Sequence, residues 1–304
     1  MELLKFFESI RVPIFDTVFN LITRLGEETV AIVILCAIFW CINKRIAYGI
    51  GVAYFLSGLT VQGMKICFRI DRPWVIDPAL TPVPSALEQA TGYSFPSGHT
   101  QSAVALYGSL GAQIKMKPFK VLCFIIAFLV AVSRMYLGVH TLLDVTTAIV
   151  ISLLFVFITV KILADESAHK KRELALALFM VFYAGAVIIV AAILYSAGKI
   201  EQGYLTDCLK AAGAGVGFAA GMYIERIYID FSVKSKNIIW QIIKLVLGIV
   251  GVLVIKEGLK LIIGTGLIVD TMRYFLMLIW VTLLFPLIIK RFFTSSRELS
   301  DDKE

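Results

Sequence analysis

Residues 133–163 read SRMYLGVHTLLDVTTAIVISLLFVFITVKIL, a polar cluster that runs directly into a long apolar segment. From Thr141 to Leu163 the run is long enough to cross the ~30 Å hydrocarbon core of a bilayer as a helix. Its leading end groups Ser133, Arg134, His140 and Asp144 at the mouth of that span. Charged and titratable groups at membrane depth are costly to keep, so such a cluster is read first as a functional site. Asp144 follows His140 by one helical turn, a spacing at which the carboxylate can accept a hydrogen bond from one ring nitrogen and make the other more basic. A structural ion pair between helices would use the same residues, and both readings stand at this point.

The rest of the chain shares the character of that span. It has 304 residues, 59% of them hydrophobic, and a mean hydropathy of +0.87, too apolar for a soluble domain of this size. The fold class expected is all-α, a polytopic transmembrane helical bundle. About nine stretches are long enough to span, at 27–43, 46–66, 97–114, 119–137, 141–163, 173–197, 204–224, 238–255 and 267–289. Ahead of them, residues 1–26 mix Leu3, Leu4, Phe6, Phe7, Phe15 and Phe19 with Lys5, Glu8, Arg11 and Asp16. That amphipathic pattern, broken at Pro13, is expected to lie in the membrane interface. It lacks a basic head and a small-residue cleavage site, so no cleavable signal is expected.

The five cysteines, Cys36, Cys41, Cys67, Cys123 and Cys208, have neither metal-binding nor disulfide-framework spacing, and no metal, cofactor or essential disulfide is expected. The formal net charge of +7 reflects membrane orientation rather than nucleic-acid binding. Lys44 and Arg45, Lys115, Lys117 and Lys120, Lys170 to Arg172, Arg226, Lys234 and Lys236, and Lys290 and Arg291 all fall on one side of the spans. By the positive-inside rule that side is cytoplasmic. Residues 133–144 then face the extracytoplasmic side of what is expected to be the plasma (inner) membrane.

The same outer side receives the proline-rich connection from Pro73 to Pro96, whose Trp74, Tyr93 and Phe95 are expected to anchor at headgroup depth. Two more polar clusters flank it. In KICFRIDRP (residues 65–73), Lys65 and Arg72 are seven residues apart and expected on one helix face, with Arg69 a snorkelling anchor. In YSFPSGHT (residues 93–100), Pro96, Ser97 and Gly98 open a helix whose N-terminal N–H groups suit an anion, with His99 in the first turn. Two of the three histidines thus lie on the outer side; His169, beside Lys170 and Lys171, reads as an ordinary inner-loop residue. Together these clusters describe an oxyanion site with acid–base capacity.

KxxxxxxRP at Lys65 to Pro73, PSGH at Pro96 to His99 and SRxxxxxHxxxD at Ser133 to Asp144 resemble, in that order and without a gap, the three motifs of the type 2 phosphatidic acid phosphatase (PAP2) superfamily. The resemblance covers residues 27–197 and implies a six-span catalytic core. It implies that His140 is the nucleophile that takes the phosphoryl group, that Asp144 orients it, and that His99 protonates the leaving oxygen and then assists water. Lys65, Arg72, Arg134, the Ser97 hydroxyl and the Gly98 backbone are implied to hold the phosphoryl oxygens, as fixed donors can without magnesium.

Residues 198–291 add three further spans and 292–304 form a polar tail. Gly213, Gly217 and Gly221 recur at four-residue intervals, which permits close helix contact; packing against the core is the expectation. Lys210, Lys256, Glu257 and Lys260 lie near the outer ends, and Asp270 and Arg273 are spaced to pair as a structural bridge. An outward site at the membrane surface suits a lipid substrate: phosphatidic acid, phosphatidylglycerol phosphate or a polyprenyl diphosphate. The alternatives are a soluble phosphate ester, as in the glucose-6-phosphatase branch, and a transporter of phosphorylated compounds. No internal repeat of the transporter kind is present.

Overall fold

The computed structural model describes residues 1–88, 90–163, 170–235 and 237–293. His169, Lys236 and residues 294–304 lie outside them. Every regular element among the described residues is helical, because in hydrocarbon a helix satisfies its own backbone N–H and C=O groups. Among the described residues, six helices are long and apolar enough to cross a membrane: Lys44–Ile76, Lys117–Tyr136, Leu142–Ile162, Lys170–Ser196, Ile238–Ile263 and Leu267–Phe292. Pro13–Arg24 and Glu28–Ile42, bent by 49°, make a seventh if they form one span.

Two of the ranges read as spans are more polar helices. The first occupies 98–113 and carries Gln101, Ser102 and Ser109, with every residue from Thr100 to Gly111 buried. Protein rather than lipid covers it. The second, Gln202–Ile224, carries Asp207, Lys210 and the repeated glycines.

The chain divides into two compact units. The first comprises Met1–Ile32 and Val52–Ile162. Within it the 98–113 helix packs on Lys117–Tyr136 and Leu142–Ile162, and Glu2–Ser9 and Pro13–Arg24 pack on Lys117–Tyr136. Buried Ala103, Ala105, Ala127, Ala131 and Ala148 let these helices approach closely. A Cβ on Gly26 would stand 2.8 Å from both the His99 carbonyl oxygen and Val130 Cγ1. The turn after Pro13–Arg24 therefore touches the helix that begins at PSGH.

The second unit comprises Val33–Gly51 and the chain from Leu163. Gln202–Ile224 packs between Lys170–Ser196 and the helix that starts at Leu267. The glycine seam meets that latter helix. A Cβ on Gly213 would stand 2.5 Å from the Thr271 carbonyl oxygen, and one on Gly217 2.5 Å from that of Phe275. Backbone cannot move aside as a side-chain tip can, so Gly217→Val is expected to destabilise by about 1–3 kcal/mol. A lowered unfolding temperature in detergent checks this.

Several buried carboxylates here are paired with cations. Glu173, fully buried, accepts from Arg172 at 3.1 Å and lies 3.3 Å from Arg226, and Glu225, also fully buried, lies 3.2 Å from Lys44. Several cations counted for orientation thus also neutralise carboxylates that would otherwise be unpaired in a low dielectric. Asp270 and Arg273 form the expected bridge, at 2.6 Å.

Candidate active site

The first unit brings the three motifs together. The Lys117–Tyr136 helix ends where Gly138 adopts φ +76°, the left-handed turn for which glycine is suited. The chain doubles back, so the Arg134 carbonyl accepts from the Val139 and His140 N–H groups at 3.2 and 3.3 Å. His140 is thereby tucked beneath Arg134, and both are buried. The next helix opens with a reciprocal cap: Asp144 Oδ2 accepts from the Thr141 N–H at 2.7 Å, and Thr141 Oγ1 accepts from the Asp144 N–H at 3.3 Å. Ser133 turns its hydroxyl onto the Val130 carbonyl of its own helix, 2.6 Å away, and takes no part.

The Lys65–Arg72 segment departs from expectation. The helix ends at Phe68, and Arg69 has φ +52°, so Lys65 and Arg72 do not share one helix face. Arg72 instead precedes Pro73 in extended conformation, with ψ 152°. That geometry aims its buried guanidinium at the loop: Nε donates to Gly92 O at 2.8 Å, Nη2 to Thr91 O at 2.7 Å and Nη1 to Val139 O at 3.0 Å. Nη1 also lies 3.0 Å from His140 Nε2. A guanidinium carries only donors, so Nε2 is the accepting nitrogen and the ring proton sits on Nδ1. The lone pair of His140 faces the cations.

Lys65 and Arg134 lie within electrostatic reach of the same ring. Lys65 Nζ donates to Tyr93 O at 2.9 Å. Arg134 donates through Nη1 to Thr23 Oγ1 at 2.8 Å, while its buried Nε has no hydrogen-bond partner among the described residues. Ser97, fully buried, accepts from the Thr100 N–H and hydroxyl at 3.4 and 3.0 Å and keeps its own proton to donate. Its N–H donates to Asp144 O at 3.1 Å, tying PSGH to the His140 loop. Nothing lies within 4 Å of where a Gly98 Cβ would be, which leaves room before the helix N-terminus. Arg134, Lys65 and Arg72 all lie within electrostatic reach of both His99 and His140.

His140 stands in the loop between two spans. Burial, then the charges of Arg72, Arg134 and Lys65, hold it well below the usual imidazole range. It is therefore neutral near pH 7. Asp144 Oδ2 is 3.5 Å from Nδ1, and Ser94, fully buried, donates to that same oxygen at 2.5 Å while standing 3.4 Å from Nδ1.

Sequence reasoning passed over Ser94 and Thr23 and assigned the polar residues of the N-terminal helices to the membrane interface. Those residues engage the outer loop: Lys5 pairs with Asp77 at 3.0 Å, Glu8 accepts from the Thr81 N–H at 3.0 Å, Arg11 donates to Tyr136 O at 2.9 Å, and Asp16 accepts from the Tyr136 hydroxyl at 2.9 Å. Phe19 stacks on Tyr136 with ring centroids 4.1 Å apart. Phe95, expected at headgroup depth, is buried against Phe68. Trp74 packs on the core of the loop.

A buried imidazole within electrostatic reach of three cations, beside the end of a membrane helix, is equipment that phosphoryl transfer can use. Residues 45–168 match the PAP2 superfamily, and residues 209–297 match the PAP2 superfamily phosphatase transmembrane extension. The chain belongs to the PAP2 superfamily and is a membrane phosphatase. It is 28% identical over 182 residues to phosphatidylglycerophosphatase B of Bacillus subtilis (strain 168), an alignment covering 54% of this chain and 82% of that one. A crystal structure of Aquifex aeolicus LpxE is also similar, with a TM-score of 0.47 and 28% identity over 53% of this chain and 93% of the other.

Proposed function

We propose that this phosphatase hydrolyses the phosphomonoester or diphosphate of a membrane lipid through a phosphohistidine formed at His140, from the extracytoplasmic face. The observation that carries the reading is the 3.0 Å approach of Arg72 Nη1 to His140 Nε2, which leaves the proton on Nδ1 and the lone pair toward the cations. In this mechanism Lys65, Arg72, Arg134, the Ser97 hydroxyl and the Gly98 N–H hold the phosphoryl oxygens. Nε2 bonds to phosphorus as the ester oxygen departs with a proton from His99. Burial and the charges of Arg134, Lys65 and Arg72 keep His99 neutral in the free protein, and it takes up that proton as the anionic phosphoryl group binds. Water, deprotonated by His99, then displaces the imidazole and releases phosphate.

Two features support a lipid. Exposed Val75 and Ile76 follow Arg72 in the chain, and exposed Leu142 and Leu143 follow His140, so exposed apolar residues adjoin two of the site residues in sequence. The curated relative, moreover, is named a phosphatidylglycerophosphatase. Orientation follows from charge: the helix leading to His140 carries Lys117 and Lys120 at its opposite end, the cytoplasmic end by the positive-inside rule.

Phosphate release by purified protein in detergent tests this against phosphatidic acid, phosphatidylglycerol phosphate, undecaprenyl diphosphate, sphingosine phosphate and glucose 6-phosphate. The lipids are expected to be hydrolysed and glucose 6-phosphate spared, with full activity in EDTA. Activity confined to glucose 6-phosphate would overturn the lipid reading. A strict divalent-cation requirement would overturn the metal-free mechanism.

A further inference from the structure

In the phosphohistidine reading the direct approach of His140 Nδ1 to Asp144 Oδ2, at 3.5 Å, is long, and Nδ1 has a second oxygen at a similar distance. That oxygen is Ser94 Oγ, 2.5 Å from Asp144 Oδ2 and 3.4 Å from His140 Nδ1. Its direction is set. The ring proton is on Nδ1, because Nε2 faces a guanidinium that can only donate. The hydroxyl gives its proton to the carboxylate, so its oxygen is left to accept from Nδ1. Backbone geometry holds Ser94 there, with its N–H donating to Ile70 O at 2.8 Å.

We propose that Ser94 is a positioning residue, completing a relay of hydrogen bonds from His140 Nδ1–H to Ser94 Oγ–H to Asp144 that orients the nucleophile. The proposal rests on His140 being the nucleophile. As the Nε2–phosphorus bond forms and the phosphorus–oxygen bond to the alcohol breaks, positive charge develops on the ring. The Nδ1 proton stays on the imidazole, the hydroxyl proton stays on Ser94, and Asp144 remains an anion; only the strength of the two bonds changes. Thr141, whose N–H shares Oδ2, fixes the carboxylate so that it cannot swing onto Nδ1 without leaving its helix cap.

The test compares Ser94→Ala with Ser94→Cys, which fills nearly the same space with a weak hydrogen-bonding group. Both are expected to lower kcat by about 10- to 100-fold, as loss of a hydrogen bond to a charged partner does, with KM little changed. Placed in the His99→Ala protein, both should slow labelling of His140 by phosphorylated substrate to the same degree. Wild-type kcat in Ser94→Cys would show that Ser94 only fills space and would overturn the relay, as would a raised KM with unchanged kcat in both variants. Label on a residue other than His140 in the His99→Ala parent would overturn the phosphohistidine reading and the relay with it; label on His140 with unaffected Ser94 variants would overturn the relay alone. Thermal unfolding confirms that the variants compared are folded, and Ser94→Cys decides the matter if Ser94→Ala is not.

Discussion

Replacing His140 by asparagine is expected to lower phosphate release by about 10⁴-fold or more while the protein remains folded, because the proposed reaction loses the atom that bonds to phosphorus. Asparagine keeps a polar group beside Ser94 and Asp144 but offers no ring nitrogen toward Arg72. The loss should appear in kcat, measured with saturating lipid phosphate, rather than as a weaker KM. Arg72, Lys65 and Arg134 would still bind the phosphoryl group, so a competing substrate analogue should inhibit the parent and bind the variant alike. Residual activity within about 100-fold of the parent would mean that another group attacks phosphorus.

Arg72→Lys is expected to cost about 10²- to 10³-fold in kcat/KM although charge is kept, on the scale of losing one preorganised oxyanion donor. The guanidinium reaches four acceptors at once: the Gly92, Thr91 and Val139 carbonyls and His140 Nε2. A single ammonium cannot span them. Some of those carbonyls would lose their partner, and the lone pair of His140 would lose the donor that keeps the proton on Nδ1. The unfolding temperature should fall as well, since an unsatisfied buried carbonyl costs about 1–3 kcal/mol. Activity within about threefold of the parent would reduce Arg72 to a generic positive charge, worth far less than the expected loss.

Much of this site can be read from residues alone because its chemistry is local. Thr141 and Asp144 cap one helix, His140 and Arg134 are joined by a short turn at Gly138, and Ser97 opens another helix. Spacing alone puts such groups together. What spacing misses is long-range or conformational. Arg69 looks like an ordinary helical residue, yet its positive φ ends the helix and redirects Arg72. The polar residues of the first two helices fit an interfacial pattern equally well, and only tertiary packing reveals that Arg11, Asp16 and Thr23 reach Tyr136 and Arg134. Ser94 carries no sequence signal beyond its place three residues before Ser97. Hydropathy counts likewise treat each segment as if it faced lipid, whereas the 98–113 helix is sheathed by neighbouring helices and tolerates its serines and glutamine for that reason.

The most direct test of the account is where phosphate is held between the two chemical steps. In the proposed mechanism His99→Ala removes the group that assists water, so an intermediate formed by His140 should persist long enough to be trapped. Incubating that protein with a radiolabelled lipid phosphate, quenching under alkaline conditions that preserve phosphohistidine, and mapping the labelled peptide should place the phosphoryl group on His140. Label on any other residue would contradict the mechanism.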